Sequence, residues 1–314
     1  MSMVTVTFIG LGEAAIAFAP PVRGAESGVR GYDRKLDDPE TRAAKLADFA
    51  AAGVSPADSN AAAIDGAALI LSLVTADQAP SAAEETSATI APGALYCDMN
   101  SIAPDTKRAA AARIEAAGGR YVDVAVMAPV NPARHATPLL VSGPHAGDAA
   151  AALRELGFAK VSIADGPVGA ASAIKMIRSV MVKGIEALSA ECFLAAHAAG
   201  VADAVIASLD ASWPGADWRA RADYNLDRML IHGLRRAAEM EEAVKTLDAL
   251  GTGAAMTRGT VARQRAIGEL RLPVPDGLGA KAGLILERTA SPAAAATGGA
   301  IERRPALEPK ANTA

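Results

Sequence analysis

Aromatic side chains are scarce in this 314-residue chain, at 4%, although 51% of its residues are hydrophobic. An interior without large rings has to be packed mainly by Ala, Val, Leu and Ile, which suits close packing of helix on strand. Cysteine is almost absent too. Cys97 and Cys192 lie in neither a CxxC nor a Cys/His cluster, which argues against a disulfide framework and against a metal site. Basic runs are missing: Lys and Arg number 31 against 35 Asp and Glu, scattered to a net charge of -4. That excludes nucleic-acid binding through a basic patch. No apolar stretch approaches the ~20 residues needed to cross a bilayer, so no membrane partner is expected. The N-terminus lacks the basic, apolar and cleavage regions of a secretory leader, and the expected address is the cytoplasm.

What is present is an alternation of short apolar runs with Ala-rich amphipathic segments. Strands are predicted at 4–9, 29–32, 67–74, 94–98 and 121–126, and two more at 139–142 and 159–163. Helices are predicted between them at 39–52, with Asp37 or Asp38 as N-cap and Pro39 at the first helical position, and at 78–90, 104–117 and 145–156. This βαβ repetition implies a Rossmann-type, doubly wound parallel sheet over residues 1–165. From Ala170 the pattern changes. Ile174, Ile177, Met181, Ile185, Leu188 and Cys192 recur at steps of three or four, one apolar helix face, and further helices follow at 202–212, 225–250 and 254–268. An all-α domain over 166–290 is expected, then a disordered Ala-, Pro- and Gly-rich tail over 291–314.

The first strand runs straight into Gly10-Leu11-Gly12-Glu13-Ala14-Ala15. This is G-x-G-x-x-A, in which Gly10 permits a tight turn, Gly12 lets backbone approach a pyrophosphate, and Ala15 allows close helix packing. The helix N-terminus then offers free N–H groups and a favourable dipole to the anion. Asp33, in Gly31-Tyr32-Asp33-Arg34-Lys35, ends the second strand, where a carboxylate accepts hydrogen bonds from the adenosine ribose and repels a 2′-phosphate. NAD is therefore the expected cofactor, with NADP left open by Arg34 and Lys35. Thr75, Asn100 and Ser101 follow the carboxyl ends of later strands, where open α/β sheets bind ligands, and are further candidate cofactor contacts.

Gly169-Ala170-Ala171-Ser172-Ala173-Ile174-Lys175 then opens the long helix. With the glycine turn, this segment resembles the β-hydroxyacid dehydrogenase superfamily, which includes 3-hydroxyisobutyrate and 6-phosphogluconate dehydrogenases. The Arg235-Arg236-x-x-Glu239-Met240 stretch is similar to a poorly characterised 6-phosphogluconate-dehydrogenase-like branch. The resemblance implies that Lys175 is a general acid/base in hydride transfer between nicotinamide and a small hydroxy acid or sugar acid. Arg178 and Ser179 stand where relatives carry asparagines, which makes Ser179 a second catalytic candidate. It also implies a homodimer or higher homo-oligomer through the all-α part, while the apolar face is equally consistent with core burial. Independently, Lys175, Ser179, Lys183 and Glu186 lie on one polar stripe, and a partly desolvated lysine can shuttle a proton near neutral pH.

Two departures from the family pattern matter. Its Ser-Gly-Gly carboxylate loop is replaced by Met127-Ala128-Pro129-Val130-Asn131-Pro132-Ala133-Arg134-His135, where prolines supply no N–H. Asn131, Arg134 and His135 are the candidate replacements. The usual Lys-Asp pair of the last domain is also missing, leaving His232 or Arg236 as candidates for a substrate acid group, with Lys183 a further one. Two other readings share the turn: an imine reductase, which generally lacks the helix lysine, and a dinucleotide sensor, which needs no proton donor.

Overall fold

The computed structural model describes residues 6–22, with side chains only as far as 19, and 28–290. The expected start of the first strand at Val4 and the tail beyond 290 lie outside the described residues. Among the described residues, eight strands form one sheet in the order β3-β2-β1-β4-β5-β6-β7-β8. In chain order these are β1 (Val6–Ile9), β2 (Arg30–Tyr32), β3 (Ser55–Pro56), β4 (Leu69–Ser72), β5 (Leu95–Asp98), β6 (Arg120–Val126), β7 (Leu139–Ser142) and β8 (Val161–Ile163). β1 through β6 pair in parallel, each with its spatial neighbour. The doubly wound sheet is mostly parallel, with one exception. β7 runs antiparallel to β6, with Val126 opposite Leu139, and β8 follows β7 in parallel. The physical reason is the connection. Between Val126 and Leu139 the chain makes only a short 3-10 turn at Arg134–Ala136, and without a crossover helix it returns beside the strand it has just left.

Period-two alternation on the strands builds two cores. Val6, Phe8, Leu69, Leu71, Leu95, Cys97, Val122 and Val124 point to one face, packed with residues of α1 (Glu13–Val22), α2 (Pro39–Ala52) and α6 (Ala146–Glu155). Ile9, Ile70, Tyr96 and Tyr121 point to the other, under α3 (Asn60–Ile64), α4 (Ala79–Ser87) and α5 (Pro104–Ala116). Of the two aspartates offered as N-cap of α2, Asp38 caps it, accepting from the Glu40 N–H at 2.9 Å. Asp37 instead accepts from the Tyr32 hydroxyl at 2.5 Å.

The helical part consists of α7 (Ala170–Ala198), α8 (Ala202–Ser212), α9 (Trp218–Ala249), α10 (Ala255–Glu269) and α11 (Leu278–Ala290). α9 starts earlier than the apolar pattern predicts, because Asp217 accepts from the Ala220 N–H at 2.9 Å at its head. α11 was not anticipated; it buries Leu278, Lys281, Ala282 and Ile285, with Lys281 Nζ between Asp223 at 2.6 Å and Asp227 at 2.8 Å. By packing, the described chain forms two compact units: one runs to Ile185 and takes back Leu234–Arg263, and the other holds Glu186–Gly233 and resumes at Gln264. Position 165, the expected boundary, lies just after the end of β8.

The sheet unit contains a fully buried ion cluster. Lys107 Nζ, on α5, lies 3.0 Å from Asp98 Oδ1 on β5 and 3.4 Å from Asp123 Oδ1 on β6, all three side chains being wholly inaccessible. The Tyr121 hydroxyl donates to Asp98 Oδ2 at 2.7 Å, and burial together with Asp98 raises its pKa well above that of a free tyrosine. Asp123 Oδ2 accepts from the Gly169 N–H at 3.1 Å and the Ser172 N–H at 3.0 Å, while Ser142 Oγ accepts from the Ala171 N–H at 3.0 Å. These donors are the orphaned N–H groups at the head of α7, so Asp123 caps the helix across 46 to 49 positions of sequence. Two carboxylates against one ammonium leave a surplus negative charge, which the positive end of α7 offsets. Removing one partner of such a cluster strands buried charge and donors. Asp123→Ala is expected to destabilise the sheet unit by about 3–5 kcal/mol, read as a marked drop in its unfolding midpoint in denaturant.

Candidate functional site

Gly10 has φ +86°, and a Cβ there would lie 2.5 Å from the Leu73 carbonyl oxygen, so no side chain fits. Gly12 is the reverse case: a Cβ would meet nothing within 4 Å, leaving the backbone face open. Leu11 is buried and donates its N–H to Asp33 Oδ2 at 2.9 Å; Asp33 Oδ1 accepts from the Lys35 N–H at 3.0 Å. The carboxylate is thus fixed to the turn it serves, with lone pairs to spare for hydroxyl donors. α1 begins at Glu13 with Ala14 half-buried and Ala15 fully buried against the sheet. An open glycine face, a helix N-terminus and a fixed acid fit a dinucleotide's pyrophosphate and ribose. Beside Asp33, an open cleft of about 570 Å³ is lined by Arg34, Lys35, Asp37, Asp38, Thr41 and Gln78. Arg34 donates to Gln78 Oε1, and hydrogen bonds from Thr75 and Gln78 hold the Asp77 carboxyl below its usual range.

At the carboxyl ends of β4 and β5, Asn100 is buried and engaged. Its amide donates to Ser72 Oγ at 3.0 Å and its Oδ1 accepts from the Val74 N–H at 2.7 Å. It therefore pins the two strand-end loops together. Its neighbour Ser101 faces elsewhere, accepting from Lys175 Nζ at 2.6 Å.

Lys175 lies on the inward stripe of α7, one and a half turns into the helix that Asp123 caps. Burial pushes its pKa down to about 8; Glu239 opposes that fall, Lys183 and Lys107 add to it, and Asp123 again opposes it. Ser179 is buried on the same stripe. Lys183 is paired 2.7 Å from Glu239 Oε2 on α9. Burial alone would raise Glu239, but Lys183, Lys175 and Arg235 overcome it and bring its carboxyl down to about 2. Arg235 Nη1 in turn lies 3.0 Å from Glu13 Oε2, and Asn131 Nδ2 donates to Glu13 Oε1 at 3.4 Å. Glu242, also on α9, accepts from the Ala103 N–H at 2.8 Å, two residues beyond Ser101.

Of the expected site residues, Lys175 meets Ser101, Lys183 meets Glu239, Ser179 is buried on the same helix, and Asn131 meets Glu13. Arg134, at φ 50°, and His135 are exposed. Glu186 and His232 fall in the second unit, where Glu186 accepts from Gln264 Nε2 at 2.9 Å. Arg235, Glu239 and Glu242 were not anticipated as site residues. The Arg235-x-x-x-Glu239 spacing of a helical ion pair was visible, but their partners on α1 and α7 were not.

Glu239→Gln removes the anion that holds Lys175 protonated and leaves Lys183 uncompensated beside it. The Lys175 pKa is expected to fall further below its present value of about 8. Reaction with acetic anhydride across pH, read at Lys175 by mass spectrometry, checks this in the absence of any substrate.

The family model for the NAD binding domain of 6-phosphogluconate dehydrogenase matches residues 5–164, and a domain of unknown function, DUF1932, matches residues 196–267. A conserved hypothetical protein from Sinorhizobium meliloti 1021 is 37% identical over 91% of this chain and 97% of its own, with a TM-score of 0.72. The conserved protein MTH1747, described as structurally similar to 3-hydroxyacid dehydrogenases, is 29% identical over 84% of this chain and 99% of its own, with a TM-score of 0.64. The 3-hydroxyisobutyrate dehydrogenase of Mycobacterium tuberculosis, solved with L-serine, shares the fold at 20% identity and a TM-score of 0.67, covering 90% of this chain and 99% of its own. No curated protein matches. The glycine turn and Asp33 lie within the matched dinucleotide domain, and the cofactor is NAD(P). A Rossmann sheet followed by helices, with these matches, establishes that the chain belongs to the β-hydroxyacid dehydrogenase superfamily, in its 6-phosphogluconate-dehydrogenase-like part.

Proposed function

We propose that the chain is an NAD(P)-dependent oxidoreductase acting on the hydroxyl- or carbonyl-bearing carbon of a small hydroxy acid or sugar acid, with Lys175 as general acid/base. The observation that carries this reading is Lys175 Nζ held 2.6 Å from Ser101 Oγ, with burial bringing its pKa to about 8. The nicotinamide supplies hydride transfer when bound. Neutral Lys175 takes the substrate hydroxyl proton on oxidation, and protonated Lys175 returns it to the oxygen on reduction. Ser101 aims the ammonium, Ser179 flanks it, and Glu239 keeps its pKa from falling too far. A carboxylate that excludes a 2′-phosphate favours NAD, and Asp33 is fixed in that place by Leu11 and Lys35.

A panel of hydroxy and sugar acids, with one cyclic imine added, tests the assignment. The imine separates this reading from that of the Streptomyces aurantiacus imine reductase, whose fold the chain shares at 20% identity and a TM-score of 0.51. For an accepted acid, kcat/KM for oxidation should rise to a plateau as pH passes about 8, because the neutral lysine is the base, and reduction should fall over the same range. Lys175→Met should cost about a hundredfold or more in turnover while NADH still binds. Turnover retained by that variant overturns the mechanism.

The assembly we propose is a homodimer or larger homo-oligomer through α7. Ile174, Ile177, Met181 and Leu188 are 47%, 48%, 65% and 64% exposed, so the apolar face is not spent on the chain's own core. A row of this kind is more apolar than solvated helices carry. Met181→Glu should lower the mass measured by light scattering to that of one chain.

A further inference from the structure

Glu13 puts a carboxylate in an awkward place. It is the first residue of α1, next to the open face of Gly12, where a pyrophosphate is received. Two anions so close repel, yet the helix end attracts both. Arg235 is already there to meet them. Its guanidinium reaches from α9 to Glu13, both side chains being half-exposed, and its nearest other acid, Glu239, is 4.0 Å from Nε. Asn131 holds the second oxygen of the same carboxylate.

We infer that Arg235 is a dinucleotide-binding residue, parked on Glu13 and handed to the cofactor's pyrophosphate on binding, while Asn131 keeps the Glu13 carboxylate to one side. The guanidinium fork matches phosphate oxygens better than a single carboxylate oxygen, so the exchange gains a charge-assisted contact. Glu13 keeps the guanidinium extended over the turn beforehand, which lowers the ordering cost of binding. The inference rests on the NAD(P) cofactor and not on the hydroxy-acid reading or on Lys175.

The test follows NADH by its fluorescence and ADP-ribose by calorimetry on the full chain, with thermal melts to confirm folding. Arg235→Met is expected to weaken both about tenfold or more and to lessen the salt dependence of binding. Glu13→Gln, which removes the internal competitor, should tighten both, and Arg235→Met should still weaken them in the Glu13→Gln background. Arg235→Lys, which keeps the charge and loses the fork, should fall between wild type and Arg235→Met. Unchanged binding by Arg235→Met overturns the proposal. So does a double variant that binds as tightly as Glu13→Gln, since Arg235 would then only neutralise Glu13. Weakening of NADH alone, with ADP-ribose unaffected, also overturns it, because the contact would then lie on the nicotinamide half.

Discussion

The buried triad of Asp98, Lys107 and Asp123 is the constraint on which the rest of the sheet unit depends. Each member comes from a different element, β5, α5 and β6, and the residual charge is answered by the head of α7. Burying ions is costly unless every lone pair and proton is used. Here Asp123 alone serves Lys107, Ser142, Gly169 and Ser172. The arrangement fixes where α7 starts, and Lys175 stands less than two turns from that start. Gly169 belongs to the same device: its φ of +100° is one that other residues rarely adopt, and a Cβ on it would crowd Pro104 Cβ at 3.1 Å, so glycine suits the seat of the helix head against α5.

From this anchor charges of both signs run across the unit: Lys175 and Lys183 beside Glu239, then Arg235 between Glu239 and Glu13. No member is balanced alone. Glu239 stands among three cations and is held ionised far below the usual carboxylate range despite its burial. Glu239 thereby opposes the fall of the Lys175 pKa and lies 4.0 Å from Arg235 Nε, so the proton-transfer residue and the phosphate ligand we propose are electrostatically linked through a single helix, α9.

Much of this was legible in residue order, and the legible part is local. Gly10, Gly12 and Asp33 could be read because a turn and a strand end are decided by adjacent residues, and Lys175 was singled out as a candidate because the glycine-to-lysine segment is contiguous. What could not be read depends on distance along the chain. The Glu13 to Arg235 contact spans 222 positions, and the Ala103 to Glu242 contact spans 139. The direction of β7 depends on the absence of a crossover helix between Val126 and Leu139, and α11 is obscured because Lys281 stands among Leu278, Ala282 and Ile285 on its buried stripe. Asp98 and Asp123 left a sign that went unused. Asp98 ends one buried strand and Asp123 interrupts the next, and charges in such places are almost never idle.

α7 buries polar side chains among apolar ones, Ser172, Lys183 and Ser189 beside Met176 and Phe193, while Ile177, Met181 and Leu188 face outward. A helix turns by about 100° per residue, so slipping by one position would pull its cations out of their pairings and push aliphatic side chains against carboxylates. The helix is keyed against rotation about its own axis. Insertions or deletions within it should therefore be far less tolerated than substitutions, since they break the key for every residue downstream at once.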